Sequence, residues 1–79
     1  MDGTNTALLA LVDVRAALDE SALDASDLRI ARHATQRLFE IVHEQGVASA
    51  ELKPHWEALR RVADSVPAVC KLGTVLKCA

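Results

Sequence analysis

The sequence predicts an all-α protein, a small antiparallel four-helix bundle that forms a single domain over residues 1–79. About half of the residues are apolar, but only Phe39 and Trp56 are aromatic, so the core must be built from aliphatic side chains. Three Gly and two Pro leave few interruptions in a chain rich in the helix formers Ala and Leu. On a helical wheel, residues 28–45 separate into one apolar and one polar arc, each about half of the circumference. So wide an apolar face requires other helices packed on it.

The first predicted helix, residues 6–18, is apolar on most of its circumference, and Thr4 or Asn5 is its expected N-cap. A helix of this kind is either central or shared between two surfaces. Because so small a domain cannot easily wrap one helix completely, we expect its second side to meet another molecule, unless loops or the last helix cover it. The residues expected at that contact, with their polar border, are Leu8, Leu9, Leu11, Val12, Asp13, Arg15 and Ala16.

The second helix, residues 27–45, follows an acidic linker over residues 19–27. Asp24 or Ser26 is its expected N-cap, and Gly46 should end it because glycine readily adopts a positive φ. Its polar arc is a second candidate surface, although such an arc is more commonly just a solvated face. The residues of this second surface are Arg29, Arg32, Gln36, Arg37 and Glu40.

Two prolines place the remaining helices. Pro54 is tolerated only in a first helical turn, so the third helix should cover residues 53–65. Pro67 begins the last helix, residues 67–78, because the residue before a proline avoids helical geometry. Four helices with short connections favour an antiparallel arrangement.

The charge distribution excludes a strong general attraction to nucleic acid, since the formal net charge is −2. Residues 1–27 contain six acidic residues and one basic residue, a balance of −5, whereas residues 28–79 contain eight basic and five acidic residues, a balance of +3. Such a dipole could orient a partner, but a short acidic linker and mixed helix faces explain it more simply.

The N-terminal region lacks the basic segment of a signal peptide, and no run approaches the ~20 apolar residues that cross a membrane. Two cysteines do not form a disulfide scaffold. We therefore expect a cytoplasmic protein in a reducing compartment. The Ala-, Arg- and Val-rich composition fits a bacterial or phage source.

Candidate chemistry is sparse. His33 and His43 are ten residues apart, about 15 Å along a helix, and cannot share a metal ion. Glu40 and His43 lack a third ligand. Cys70 and Cys78 lie about 12 Å apart on one helix and cannot bond to each other within it, and whether either thiol is reactive stays open. With no catalytic constellation, no enzyme activity, metal or cofactor is expected.

A helix–turn–helix pattern is the main alternative. Residues 37–62 loosely resemble its opening, with a helix, a Gly turn and a second helix, and a DNA-binding regulator would use residues 37–78. The last helix, however, offers two Lys and one Thr and no Arg, Asn or Gln to read base edges.

The sequence therefore favours a non-enzymatic protein–protein interaction module that acts through the apolar surface of its first helix. Homo-oligomerisation, an adaptor role and inhibition of a larger protein assembly all fit this prediction. The expected partner is another protein, with a homodimer among the options, and neither nucleic acid nor a membrane is expected.

Overall fold

A computed structural model describes residues 3–76, which contain four α-helices. Their bounds are α1 (Thr4–Asp19), α2 (Ala25–Gln45), α3 (Leu52–Arg60) and α4 (Pro67–Leu76). Both α1 and α3 pack against α2 and α4, so α1 and α3 lie diagonally opposite each other. This is the small antiparallel four-helix bundle that the sequence predicts.

The core is aliphatic, as the composition predicts, with Trp56 as its one buried aromatic side chain in the described residues. Every helix contributes a leucine at 1% exposure or less, and each such side chain stabilises the fold by roughly 1.5–3 kcal/mol through burial. These leucines are Leu11 and Leu18 in α1, Leu38 in α2, Leu52 and Leu59 in α3 and Leu72 in α4.

The ends of α2 follow the predicted capping. The Asp24 side chain accepts a hydrogen bond of 2.8 Å from the Asp27 backbone N–H, so Asp24 is the N-cap and α2 begins at Ala25, two residues before the predicted start. Gly46 ends the helix with a φ of 83°, a conformation that favours glycine.

The prediction of Thr4 or Asn5 as the N-cap of α1 is wrong. Gly3 occupies that position with a φ of 74° and no side-chain cap. Glycine adopts this left-handed conformation without steric cost, which lets the helix begin at Thr4, two residues earlier than predicted.

Helix α3 ends at Arg60, five residues before the predicted end. The N–H groups of Val62 and Ala63 donate to the carbonyl oxygens three residues earlier, at 3.1 Å each, so the chain tightens into turns. These turns bury both Val62 and Val66 while the chain reverses into α4. The predicted end of the last helix, and Cys78 with it, lie outside the described residues.

Candidate protein interaction surface

Helix α1 has one buried side and one exposed side. The exposed side carries two large aliphatic residues, Leu9 with 67% of its surface accessible and Val12 with 52%. Its buried side is formed by residues at helical spacing, namely Ala7, Leu11, Val14 and Leu18. Leu9, Val12 and Ala16 form an exposed stripe, because residues spaced three and four apart lie on one side of a helix. We call this stripe the α1 surface.

Two of the residues expected at the contact pack largely within the chain. Leu11 is 1% exposed and belongs to the core, and Leu8 is partly buried against it. The remaining five are exposed, and they are Leu9, Val12, Asp13, Arg15 and Ala16. The apolar part of the predicted contact is therefore narrower than the sequence indicates, because α2 and α4 cover more of α1 than the wheel alone can show.

A groove of about 480 Å³ lies between α1 and α2. Leu11 and Phe39 supply its bulkiest apolar groups, and the buried Thr35 side chain satisfies its own hydroxyl by donating to the Ala31 carbonyl oxygen at 2.8 Å. Arg15, Asp19 and Arg32 also line the groove, so its lining combines apolar and charged side chains. The lining residues are Leu11, Val12, Arg15, Asp19, Arg32, Thr35, Gln36 and Phe39.

The fold brings together the two surfaces that the sequence predicts separately. Val12 and Arg15 belong to the first and Arg32 and Gln36 to the second, and all four line the same groove. In contrast, Arg29, Arg37 and Glu40 of the second surface do not line the groove.

Sequence reasoning missed three lining residues, Asp19, Thr35 and Phe39. The sequence pattern assigns Asp19 to the start of the linker, and it assigns Thr35 and Phe39 to the buried arc of the second helix. Phe39 lies at the flank of that arc, at the edge of the predicted core, and this position was the only available signal.

One ion pair joins α1 to α2 at the groove. Arg32 Nη2 donates to Asp19 Oδ1 at 2.6 Å, with both side chains more than half exposed. Because water and salt screen so exposed a pair, its contribution to stability is only about 0–1 kcal/mol. Its main structural effect is to hold two rim residues in a fixed geometry.

A second polar cluster lies along α2. The Gln36 side-chain amide donates to Glu40 Oε2 at 3.1 Å, and Arg37 donates to Glu40 Oε1 at 2.6 Å. The hydrogen bond from Gln36 contributes most to lowering the pKa of the Glu40 carboxyl, and the charge and hydrogen bond of Arg37 act in the same direction against partial desolvation. Within this cluster, the positive charge of Arg37 pairs with the negative charge of Glu40.

The remaining candidate groups are a histidine on α2 and a cysteine on α4. The His43 ring stacks on Phe39 with 6.5 Å between the ring centroids, and Cys70 is an exposed free thiol. Within residues 3–76, no group of three or more His, Cys, Asp and Glu side chains is arranged to hold a metal ion. None of the four described helices is both long and apolar enough to span a lipid bilayer.

Fold and groove together define a class, a small antiparallel four-helix bundle with a groove of mixed apolar and charged lining between its first two helices. Comparison of the chain with known protein families, curated proteins and solved structures finds no match.

Proposed function

We propose that this chain is a non-enzymatic protein–protein interaction module that binds its partner through the α1 surface. The observation that carries the proposal is the exposure of Leu9 and Val12 beside the α1/α2 groove. Covering apolar surface removes it from water, which favours a complex against the entropic cost of association. Single exposed aliphatic residues are ordinary, but two adjacent ones on one helix, of which Val12 also lines the groove, favour a binding surface.

Three roles use such a surface in the same physical way. The chain can bind a second copy of itself, connect two other proteins as an adaptor, or block a surface on a larger assembly. All three require the α1 surface to become covered, and none requires a reactive group.

Photo-crosslinking at Leu9 tests the proposal directly. A photoreactive amino acid replaces Leu9, and the matched control replaces Glu57, an exposed residue of the diagonally opposite α3. We expect protein adducts from position 9, in the concentrated chain or in an extract of the source cells, that excess native chain suppresses and that Val12→Asp abolishes. Equal labelling from both positions, or no adduct from position 9, would contradict the proposal.

The alternative proposal, a helix–turn–helix DNA-binding regulator using residues 37–78, has less support. The exposed residues of the described part of α4 are Pro67, Cys70, Lys71 and Thr74, which include a single cation and little capacity to read base edges. Titration with duplex DNA at low salt separates the two proposals. Binding that weakens steeply with added salt would favour the regulator, and its absence is the expected result.

A further inference from the structure

The rim of the α1/α2 groove carries surplus positive charge. Arg15 and Arg32 line the groove, and Arg29 lies one turn before Arg32 on the same side of α2. The acidic lining residue is Asp19, which already pairs with Arg32. Within the lining, two guanidinium groups against one carboxylate leave a surplus of one positive charge, and Arg29 adds a further guanidinium just outside the lining.

Two of these guanidinium groups lack a counter-ion. Arg15 and Arg29 form no ion pair with any residue of 3–76, whereas Arg37 pairs with Glu40. Arg15 and Arg29 are both exposed, so each can receive a carboxylate without first leaving an internal partner. A guanidinium binds a carboxylate with two parallel hydrogen bonds, which adds geometric specificity to the attraction.

The groove suits the apolar side of a helix. Leu11, Val12 and Phe39 supply its large apolar lining groups. A helix that binds a groove between two helices inserts side chains spaced three, four and seven residues apart. The exposed Leu9 and Val12 extend the apolar contact area along the α1 edge.

A second copy of the chain fits this rim poorly. A two-fold dimer brings the same surface of both subunits together, so two rims with surplus positive charge would face each other. Like charges across an interface disfavour association, and opposite charges favour it. The electrostatics therefore point to an acidic partner, although the chain as a whole has a net charge of −2.

We propose that the α1/α2 groove binds an acidic amphipathic helix of another protein. The apolar side chains of that helix occupy the groove against Val12 and Phe39, and its flanking carboxylates pair with Arg15 and Arg29. This inference rests on the proposed function, because the groove includes Val12 of the α1 surface.

Three labelled synthetic peptides of about 18 residues, or about five helical turns, test the inference by fluorescence anisotropy. The first has a leucine stripe flanked by Glu, the second has the same stripe flanked by Lys, and the third has the Glu content of the first with its leucines dispersed around the helix. We expect saturable binding of the first peptide alone, weakening as salt is added.

Charge reversal supplies the matched variants. Arg15→Glu combined with Arg29→Glu should weaken binding of the first peptide about tenfold or more, since two charge-assisted contacts become repulsive. Arg60→Glu combined with Arg61→Glu makes the same change in charge at two exposed positions at the C-terminal end of α3 and should leave the affinity within about twofold. Circular dichroism confirms that both double variants retain the native helix content.

The outcomes separate this inference from the proposed function. The proposal of an acidic partner helix would be overturned if the Glu and Lys peptides bound equally. It would also be overturned if Arg15→Glu combined with Arg29→Glu left the affinity for the Glu peptide unchanged. Concentration-dependent dimers in sedimentation velocity that Val12→Asp dissociates would identify a second copy as the occupant, which refutes the inference but keeps the proposed function. Failure of all three peptides together with no adduct from the position 9 photoprobe would refute both.

Discussion

The indole ring of Trp56 lies against the backbone of Gly73, where a Cβ atom would stand 2.7 Å from Cζ2 of the ring. Real Cβ contacts are essentially never shorter than 3.0 Å, so α3 and α4 approach this closely only because position 73 is glycine. Trp56 is 4% exposed, and its Nε1–H finds no acceptor in residues 3–76. Leaving this donor unpaired costs about 1–3 kcal/mol, which the packing of the large ring must offset.

Gly73→Ala should lower the free energy of unfolding by about 1 kcal/mol. Overpacking a core costs about 1–3 kcal/mol, and about 1 kcal/mol returns because alanine favours a helix over glycine. Urea denaturation measures the net change. Combining the substitution with Trp56→Leu removes the clash, so the double variant should lose less stability than the sum of the two single variants. Strict additivity would show that the ring and position 73 do not interact.

Leu11→Ala and Val12→Ala should differ sharply, although the two residues are adjacent. Leu11 is 1% exposed and its truncation should cost about 2–5 kcal/mol, because a cavity remains in the core. Val12 is 52% exposed, and its truncation should change stability by no more than about 0.5 kcal/mol. Both values come from chemical denaturation. Similar losses in the two variants would show that Val12 is covered within the folded chain.

Asp24→Ala should destabilise the protein by about 1 kcal/mol, because the first turn of α2 loses the acceptor for the Asp27 N–H. Thermal unfolding followed by circular dichroism measures this loss. Asp24→Asn retains a capping oxygen and should recover most of the stability, and Ser26→Ala, at an exposed position beside the cap, serves as the control. An unchanged midpoint in Asp24→Ala would mean that the cap hydrogen bond contributes nothing.

The Glu40 carboxyl should titrate below its ordinary pKa, with Gln36 as the main cause. Because the folded-state pKa is lowered, the stabilising contribution of Glu40 is present above its unfolded-state pKa and is lost as the pH falls through the folded-state value. Carboxyl NMR titration checks the direction, and Gln36→Ala should move the pKa upward. A Glu40 resonance that titrates identically in Gln36→Ala would assign the effect to Arg37 instead.

The sequence was sufficient to predict the elements of the fold. The wheel of residues 28–45 separates because helical periodicity is a local property, and Asp24, Gly46 and Pro67 mark helix ends through backbone chemistry that needs no tertiary contact. The predicted end of the third helix was wrong, because the chain forms tight turns after Arg60 instead of continuing as a helix. These turns bury Val62 and Val66. Prediction also failed at Gly3, where a positive φ replaced the expected side-chain cap.

The sequence by itself determined three amphipathic helices, a first helix that is apolar on most of its circumference, and an aliphatic core. Only the tertiary structure decided that Leu11 is covered while Leu9 and Val12 remain exposed. Only the tertiary structure placed Asp19 beside Arg32, and Phe39 with Val12 in one groove. The reason is physical: periodicity sets which residues share a side of one helix, whereas the rotation of each helix about its axis is set by packing against its neighbours. A surface formed by two helices can therefore be predicted only when the rotation of each helix about its own axis is known.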